Sequence, residues 1–391
     1  MYDTTIFTGV LNDELTVSMQ NWAGDWLKGM TFAKDYASLM QCKNKIIVLQ
    51  IKEANFRFDL LKTLLENNNY FVFIDPYENN IKPHSDLVYD IPELDRFPLL
   101  TAGDQVPGTF YVNVEGYFFL TLSDPNILRA KFYTIDKYFE KKVKPFDFHY
   151  LNGRHCEHRW KLWQQLDKRG LINKSLHSYL GYPSPGENAD LTPFDEPILI
   201  PPEYETQYVD RDNIPRYSKD VRNSVNFRFL YWGGQGFQGN HIVPKQYEDT
   251  YFSVVTETLT DRLFCTEKTW KPLLAGHPFI FLSAPGHYKK LHQMGFKTFG
   301  KWIDESFDDE PDLDKRIKMI ADQIEILCAL DKQKFLKEVE PICRHNQDHI
   351  LSYRYTHFKT IHDRLGTFFT DVAADAEVYF KDKMISKSLQ Y

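Results

Sequence analysis

Three consecutive residues, Thr266, Glu267 and Lys268, have the types and the spacing to bind a phosphorylated ligand. Thr266 is a typical N-cap residue, and the pattern after it predicts a helix, so Glu267 and Lys268 fall on the first helical turn. The positive end of a helix dipole favours anions, so free backbone N–H groups and the Lys268 ammonium would suit a phosphate there. The two oxygens of the Glu267 carboxylate can accept from two hydroxyls of a ribose.

A purely structural interpretation of these residues is also open. Acidic side chains are common in first helical turns because they interact favourably with the helix dipole. Glu267 would then stabilise the helix start electrostatically, and Lys268 would be a solvated surface lysine.

The segments around these residues predict a strand–loop–helix–strand unit. Residues 251–256 form an apolar, β-branched and aromatic run that is typical of a strand buried on both faces. The helix is predicted over Glu267–Ala275, and Gly276 and Pro278 end it. Phe279–Leu282 is a second buried strand. The unit therefore places Glu267 and Lys268 just beyond the carboxyl end of a strand.

The residue order in this unit resembles the donor-site motif of the α1,3-fucosyltransferase-like glycosyltransferases. The shared pattern is Phe264-x-Thr266-Glu267-Lys268-x-Trp270-Lys271-Pro272, followed by Gly276-His277-Pro278 and an apolar strand. In character it resembles still more a group of phage and giant-virus proteins built on the same plan. The resemblance implies that Glu267 binds the ribose of a nucleotide sugar and Lys268 its pyrophosphate, with Thr266 in the same binding set.

Three further residues are candidates for contacts with the donor. Phe146–Leu151 predicts a strand that turns at Asn152-Gly153 into a helix starting at Arg154, and this start resembles the first strand–helix unit of the same family's donor domain. Arg154 is therefore expected to contact a donor phosphate. Glu257 follows the central strand and is a candidate second donor contact. Lys271 either assists Lys268 or is solvated.

The N-terminal third alternates between strand and helix patterns, over residues 45–51, 56–67 and 70–74. This alternation predicts an α/β fold with a parallel sheet. The resemblance implies a GT-B arrangement, in which two facing Rossmann-like domains bind ligands at the carboxyl ends of their strands. We expect an acceptor-binding domain over residues 1–144, a nucleotide-sugar-binding domain over 145–365, and a C-terminal helix in 366–391 that packs back on the first domain.

A transferase that inverts the sugar's configuration needs a carboxylate to deprotonate the acceptor hydroxyl. Glu115, Asp75 and Asp13, all in the predicted N-terminal domain, are the candidates, and the sequence does not choose among them.

Composition and missing motifs exclude several other classes of function. The formal net charge is −7, so no global basic field indicates nucleic-acid binding. The five cysteines are scattered, and no zinc motif is present. The acidic segment 304–314 lacks the spacing of a calcium loop and is expected to be a solvated loop. We find no signal sequence and no apolar run of transmembrane length, which favours a cytoplasmic protein, in a host cytoplasm if the protein is viral.

These observations predict a metal-independent glycosyltransferase that needs no cofactor beyond its nucleotide-diphosphate sugar. The acceptor is either a saccharide, as the resemblance implies, or a hydroxymethylated base in phage DNA. The basic residues Lys141, Lys142 and Lys144 would meet DNA phosphates in the second case. A different class also stays open, in which the fold is a non-catalytic nucleotide-sugar-binding module.

Overall fold

The computed structural model describes residues 3–10, 31–32, 35–50, 58–75, 99–101, 111–113, 135–182, 194, 198–204, 242–350 and 352. Contacts divide the chain into two compact units. One unit comprises residues 1–120 and 355–391, and the other comprises residues 121–354.

The first unit contains a six-stranded parallel sheet. Its strands are β1 (Asp3–Val10), β2 (Thr31–Phe32), β3 (Lys45–Gln50), β4 (Tyr70–Asp75), β5 (Leu99–Thr101) and β6 (Tyr111–Asn113), in the spatial order β2-β1-β3-β4-β5-β6. Helices α1 (Tyr36–Met40) and α2 (Phe58–Glu66) flank β3 in the sequence. The strand–helix–strand unit predicted for this region is confirmed, since α2 joins the parallel neighbours β3 and β4. The short β6 lies at the edge of the sheet.

The second unit contains a four-stranded parallel sheet in the order β10-β9-β7-β8. The strands are β7 (Phe146–Arg154), β8 (Ser175–Tyr182), β9 (Thr250–Thr256) and β10 (Phe279–Leu282). The helices are α3 (Ile135–Glu140), α4 (Glu157–Lys168), α5 (Pro244–Glu248), α6 (Glu267–Ala275), α7 (His287–Gln293), α8 (Leu313–Ala329) and α9 (332–350). Side chains of β9 and β10 are almost all buried, as expected for parallel strands covered on both faces.

Two expectations about the secondary structure of this unit are wrong. The acidic segment after α7 is not a solvated loop, because Glu305–Asp309 forms a 3₁₀-helix in which Asp308 is buried. The Asp308 carboxylate accepts hydrogen bonds from the amides of Tyr288 and Lys289, and so it caps the start of α7. The helix predicted to start at Arg154 begins instead at Glu157, because β7 continues through the Asn152-Gly153 pair.

The α/β class with parallel sheets is therefore established, whereas the facing of two domains stays a prediction. The predicted domain boundaries after residues 144 and 365 do not coincide with the limits of the two units. The division by contacts does not test independent folding, so residues 144 and 365 stay predicted domain boundaries. The C-terminal helix expected in 366–391 lies outside the described residues.

Candidate functional site

The strand–loop–helix–strand unit around Thr266 is confirmed. Thr266 is the N-cap of α6, and its hydroxyl accepts from the Lys268 amide at 3.3 Å. The helix ends at Gly276, which has φ of 58°, a left-handed conformation that favours glycine. The Gly276 amide donates to Leu273 O and the His277 amide to Pro272 O, which together form a Schellman motif. The sequence thus sets both ends of the helix locally.

The carboxylate of Glu257, just beyond the end of β9, supports the start of α6. Its side chain is fully buried and accepts five hydrogen bonds within the protein. Three donors are the backbone amides of Thr258, Thr266 and Thr269, at 3.1–3.3 Å. The other two are the hydroxyls of Thr266, at 2.6 Å, and Thr269, at 2.5 Å. Because this carboxylate is enclosed, the geometry does not support the direct donor contact predicted for it.

The same contacts correct one premise of the phosphate hypothesis. The amides of Lys268 and Thr269 in the first turn of α6 already donate to Thr266 Oγ1 and to Glu257 Oε1. A phosphate at this place would therefore not replace missing partners of these two amides. Any attraction for an anion here comes chiefly from side-chain ammonium groups.

Glu267 and Lys268 form an ion pair that is partly open to solvent. The Lys268 ammonium lies 2.8 Å from Glu267 Oε1, and it also donates to the hydroxyls of Thr258 and Thr266, each at 3.1 Å. The side chain of Lys268 is 29% exposed and that of Glu267 is 16% exposed. Burial alone would raise the pKa of Glu267, but the charges of Lys268 and Lys271 outweigh it and hold that pKa below its usual value. Glu267 is thus held ionised beside its lysine.

Lys271, one helical turn after Lys268, is half-buried. Burial lowers the pKa of its ammonium to about 8, although the nearby Glu267 carboxylate acts in the opposite direction. Of the two alternatives for Lys271, a freely solvated side chain does not agree with this burial. Two ammonium groups and one carboxylate share the exposed side of the first turns of α6.

Arg154 is the last residue of β7, where it pairs with Tyr182 of β8. Asn152 pairs with Tyr179, and its side-chain oxygen accepts from the hydroxyl of Thr256 at 2.9 Å, so the Asn152-Gly153 pair stays within the sheet. Arg154 is consequently not on a first helical turn. Its side chain lies outside the described residues, and its contact with a donor phosphate stays a prediction.

The candidate catalytic carboxylates are only partly within the described chain. Asp75 is the last residue of β4 and pairs with Thr101, so its backbone lies at the carboxyl end of the first sheet, where open α/β sheets bind ligands. The side chain of Asp75 is outside the described residues, as are Asp13 and Glu115 entirely. The choice among the three is not narrowed.

The basic residues expected to meet DNA phosphates do not form an exposed cluster. Lys144 is buried, and its ammonium donates to Tyr138 O and Glu248 O, each at 2.8 Å. Lys141 is exposed and forms an ion pair with Asp249. Of the three lysines, only Lys142 is exposed and has no such bond from its ammonium among the contacts described. The expectation that all three lysines contact DNA phosphates is wrong for Lys144, because its buried ammonium is hydrogen-bonded to carbonyl oxygens of α3 and α5.

The sequence reasoning identified Thr266 but overlooked Thr258 and Thr269, whose hydroxyls also form hydrogen bonds in this site. Thr269 lies about one helical turn after Thr266, and Thr258 directly follows Glu257. The available signal was a Thr-x-x-Thr spacing at a predicted helix start, which places both hydroxyls towards the preceding loop. An acidic residue at the end of the preceding strand supplies their common acceptor.

One solved structure aligns with most of this chain. No family profile matches the sequence, and no curated protein matches it. A solved structure described as "Crystal Structure of alpha1,3-Fucosyltransferase" aligns over 93% of this chain and 91% of its own, with 12% sequence identity and a TM-score of 0.45. A likeness this distant carries no argument about activity. The likeness to phage and giant-virus proteins stays a prediction.

The described residues contain no group of three or more His, Cys, Asp or Glu side chains that is suited to a metal ion. No described helix combines the length and the apolar character that crossing a membrane requires.

Proposed function

We propose that this protein is a glycosyltransferase that moves a sugar from a nucleoside-diphosphate donor to a hydroxyl acceptor. The observation that carries the proposal is the Glu267–Lys268 pair on the first turn of α6, partly exposed at the carboxyl end of a parallel sheet. Carboxyl ends of parallel strands are where open α/β sheets bind their ligands. The sequence motif in which the pair lies supports the assignment.

Each residue of the pair has a distinct part in this proposal. Transfer breaks the bond between the sugar and the diphosphate, so negative charge develops on the leaving diphosphate. The ammonium of Lys268, with that of Lys271 one turn further on, stabilises this charge without requiring a metal ion. The Glu267 carboxylate, held ionised, accepts from the ribose hydroxyls. Arg154 is a further candidate for the phosphates.

The acceptor proposed here is a saccharide hydroxyl, with Asp75, Asp13 or Glu115 as the base if the reaction inverts. Burial of Lys144 weakens the alternative of a DNA acceptor, because that acceptor depended on the basic residues around it. The proposed donor is of the guanosine-diphosphate type, as the resemblance of the motif to that of the fucosyltransferases implies.

Incubation with a panel of nucleotide sugars tests the proposal. We expect one of them to raise the unfolding temperature and to be slowly hydrolysed, and a glycan acceptor to speed its consumption. Stabilisation with no hydrolysis and no transfer would instead identify a nucleotide-sugar-binding module. Absence of both stabilisation and turnover across the panel would refute the proposal.

A further inference from the structure

The buried Glu257 carboxylate determines the direction of the hydrogen bonds around it. An ionised carboxylate only accepts, so the hydroxyls of Thr266 and Thr269, at 2.6 Å and 2.5 Å, must both donate their protons to it. Three backbone amides complete its shell and can only donate as well. Burial raises the pKa of Glu257, whereas the Lys268 charge and the two threonine hydroxyls act in the opposite direction. The five donors around its oxygens are the partners that a charged, proton-free carboxylate requires.

This direction leaves the lone pairs of Thr266 Oγ1 available to Lys268. A hydroxyl has one proton and two lone pairs, and the proton is committed to Glu257. The lone pairs accept from the Lys268 amide at 3.3 Å and from its ammonium at 3.1 Å. Thr266 thus links the buried carboxylate to both the backbone and the side-chain nitrogen of Lys268.

The hydroxyl of Thr269 likewise donates to Glu257 and accepts from a second partner. Thr269 Oγ1 lies 3.2 Å from Nε2 of the buried His287, and because its proton goes to Glu257, the histidine nitrogen must be the donor. The Glu257 carboxylate therefore sets the direction of two chains of hydrogen bonds. One runs through Thr266 to Lys268, and the other runs through Thr269 to His287.

We infer that Glu257 is a positioning residue for the Lys268 ammonium, acting through the hydroxyl of Thr266. The inference rests on the proposed function in so far as Lys268 is the diphosphate contact. It assigns Glu257 no contact with the donor. An amide at position 257 would present N–H groups in place of one acceptor oxygen, and the Thr266 hydroxyl would then have to turn its proton elsewhere, in competition with Lys268.

The test measures binding of inorganic pyrophosphate and of guanosine diphosphate by calorimetry. We expect Glu257→Gln and Thr266→Val each to weaken binding about tenfold, whereas Thr266→Ser, which keeps the hydroxyl, binds as wild type does. If Glu257 acts through Thr266, the double variant Glu257→Gln/Thr266→Val should be at most about twofold weaker than the weaker single variant. Losses that multiply in the double variant would overturn the inference.

A matched control separates positioning from a loss of stability. Glu305 is another carboxylate in this unit that caps a turn, accepting from the Thr298 hydroxyl and the Phe299 amide. Glu305→Gln should lower the unfolding temperature without changing the affinity for either probe. If it weakens binding as much as Glu257→Gln does, the role of Glu257 is merely structural and the inference fails.

A second readout does not depend on the ligand. Reductive methylation of Lys268, followed by peptide mass spectrometry, should be faster in Glu257→Gln and in Thr266→Val than in wild type, with exposed Lys142 as the internal reference. Unchanged Lys268 reactivity in both variants would overturn the inference. Faster methylation in a protein whose wild type binds neither probe would support the positioning of Lys268 and contradict its proposed contact with a guanosine-diphosphate donor.

The Thr266 variants also decide the question if Glu257→Gln does not fold. Thr266→Ser and Thr266→Val differ in the hydroxyl that links Glu257 to Lys268. Equal affinities and equal Lys268 reactivities for these two variants would overturn the inference. A loss confined to Thr266→Val would support it.

Discussion

Acid should destabilise this protein strongly, because the second unit buries histidines in neutral form. His149 and His277 stack with ring centroids 5.5 Å apart, and both are buried. Nδ1 of His277 lies 2.8 Å from the Ser253 hydroxyl and Nε2 lies 3.0 Å from Thr250 O, a pattern that a neutral ring satisfies. Burial, and then the neighbouring His149, lower the pKa of His277 well below its usual value.

The size of the effect follows from proton linkage. An unfolded histidine has a pKa of about 6.5, so above that pH neither state binds a proton and His277 contributes no pH dependence. Below it, only the unfolded state takes up the proton, and each pH unit costs about 1.4 kcal/mol of folding free energy. This cost accumulates as the pH falls from about 6.5 towards the lowered native pKa of His277, and it reaches on the order of a few kcal/mol, a substantial share of a typical domain's stability.

Denaturant unfolding of wild type and His277→Gln over a range of pH measures this contribution. The difference in unfolding free energy should be constant above about pH 7, and below about pH 6.5 wild type should lose about 1.4 kcal/mol more per pH unit than the variant. Buried carboxyls whose pKa values are raised by burial, such as Glu305 and Asp308, act in the opposite direction but are common to both proteins. If the unfolding free energies of wild type and His277→Gln change in parallel down to about pH 4.5, His277 is not buried as a neutral imidazole.

Three further predictions concern the donor, metals and the end of α6. Glu267→Ala should weaken nucleotide-sugar binding by about 1.5–3 kcal/mol, the range for charge-assisted hydrogen bonds, and unchanged affinity would contradict the ribose contact. Transfer should survive excess EDTA because lysine ammonium groups carry the charge stabilisation; complete loss that magnesium reverses would contradict this. Gly276→Ala should destabilise the fold by about 2 kcal/mol in denaturant unfolding, because φ is left-handed and a Cβ would overlap the Ile135 side chain. A stability equal to wild type would contradict the described end of α6.

Local signals predicted the unit that positions the candidate site. An N-cap threonine, a left-handed glycine and a proline mark the limits of α6, and each acts through residues within a few positions of itself. The buried strands on either side followed from their apolar β-branched runs. For these reasons the helix bounds Glu267–Ala275 agree with the structure at both ends.

Long-range contacts explain what the sequence did not reveal. Asn152-Gly153 is a common turn signal, yet the pairing of Asn152 with Tyr179 and its bond to Thr256 keep it in the strand. Lys144 looked like a surface charge, but carbonyl oxygens of Tyr138 and Glu248 enclose its ammonium. Glu257 looked like a ligand contact because the sequence does not show which way a carboxylate points.

The affinity of Lys268→Met for a nucleotide sugar tests the central claim most directly. The ligand is whichever member of the panel stabilises wild type most, and Lys142→Met, at an exposed position of the same unit, is the matched control. We predict that Lys268→Met loses about 1.5–3 kcal/mol of binding, roughly ten- to 150-fold, with unfolding unchanged, and that Lys142→Met binds as wild type does. Equal affinities for wild type and Lys268→Met would contradict a diphosphate site at the start of α6.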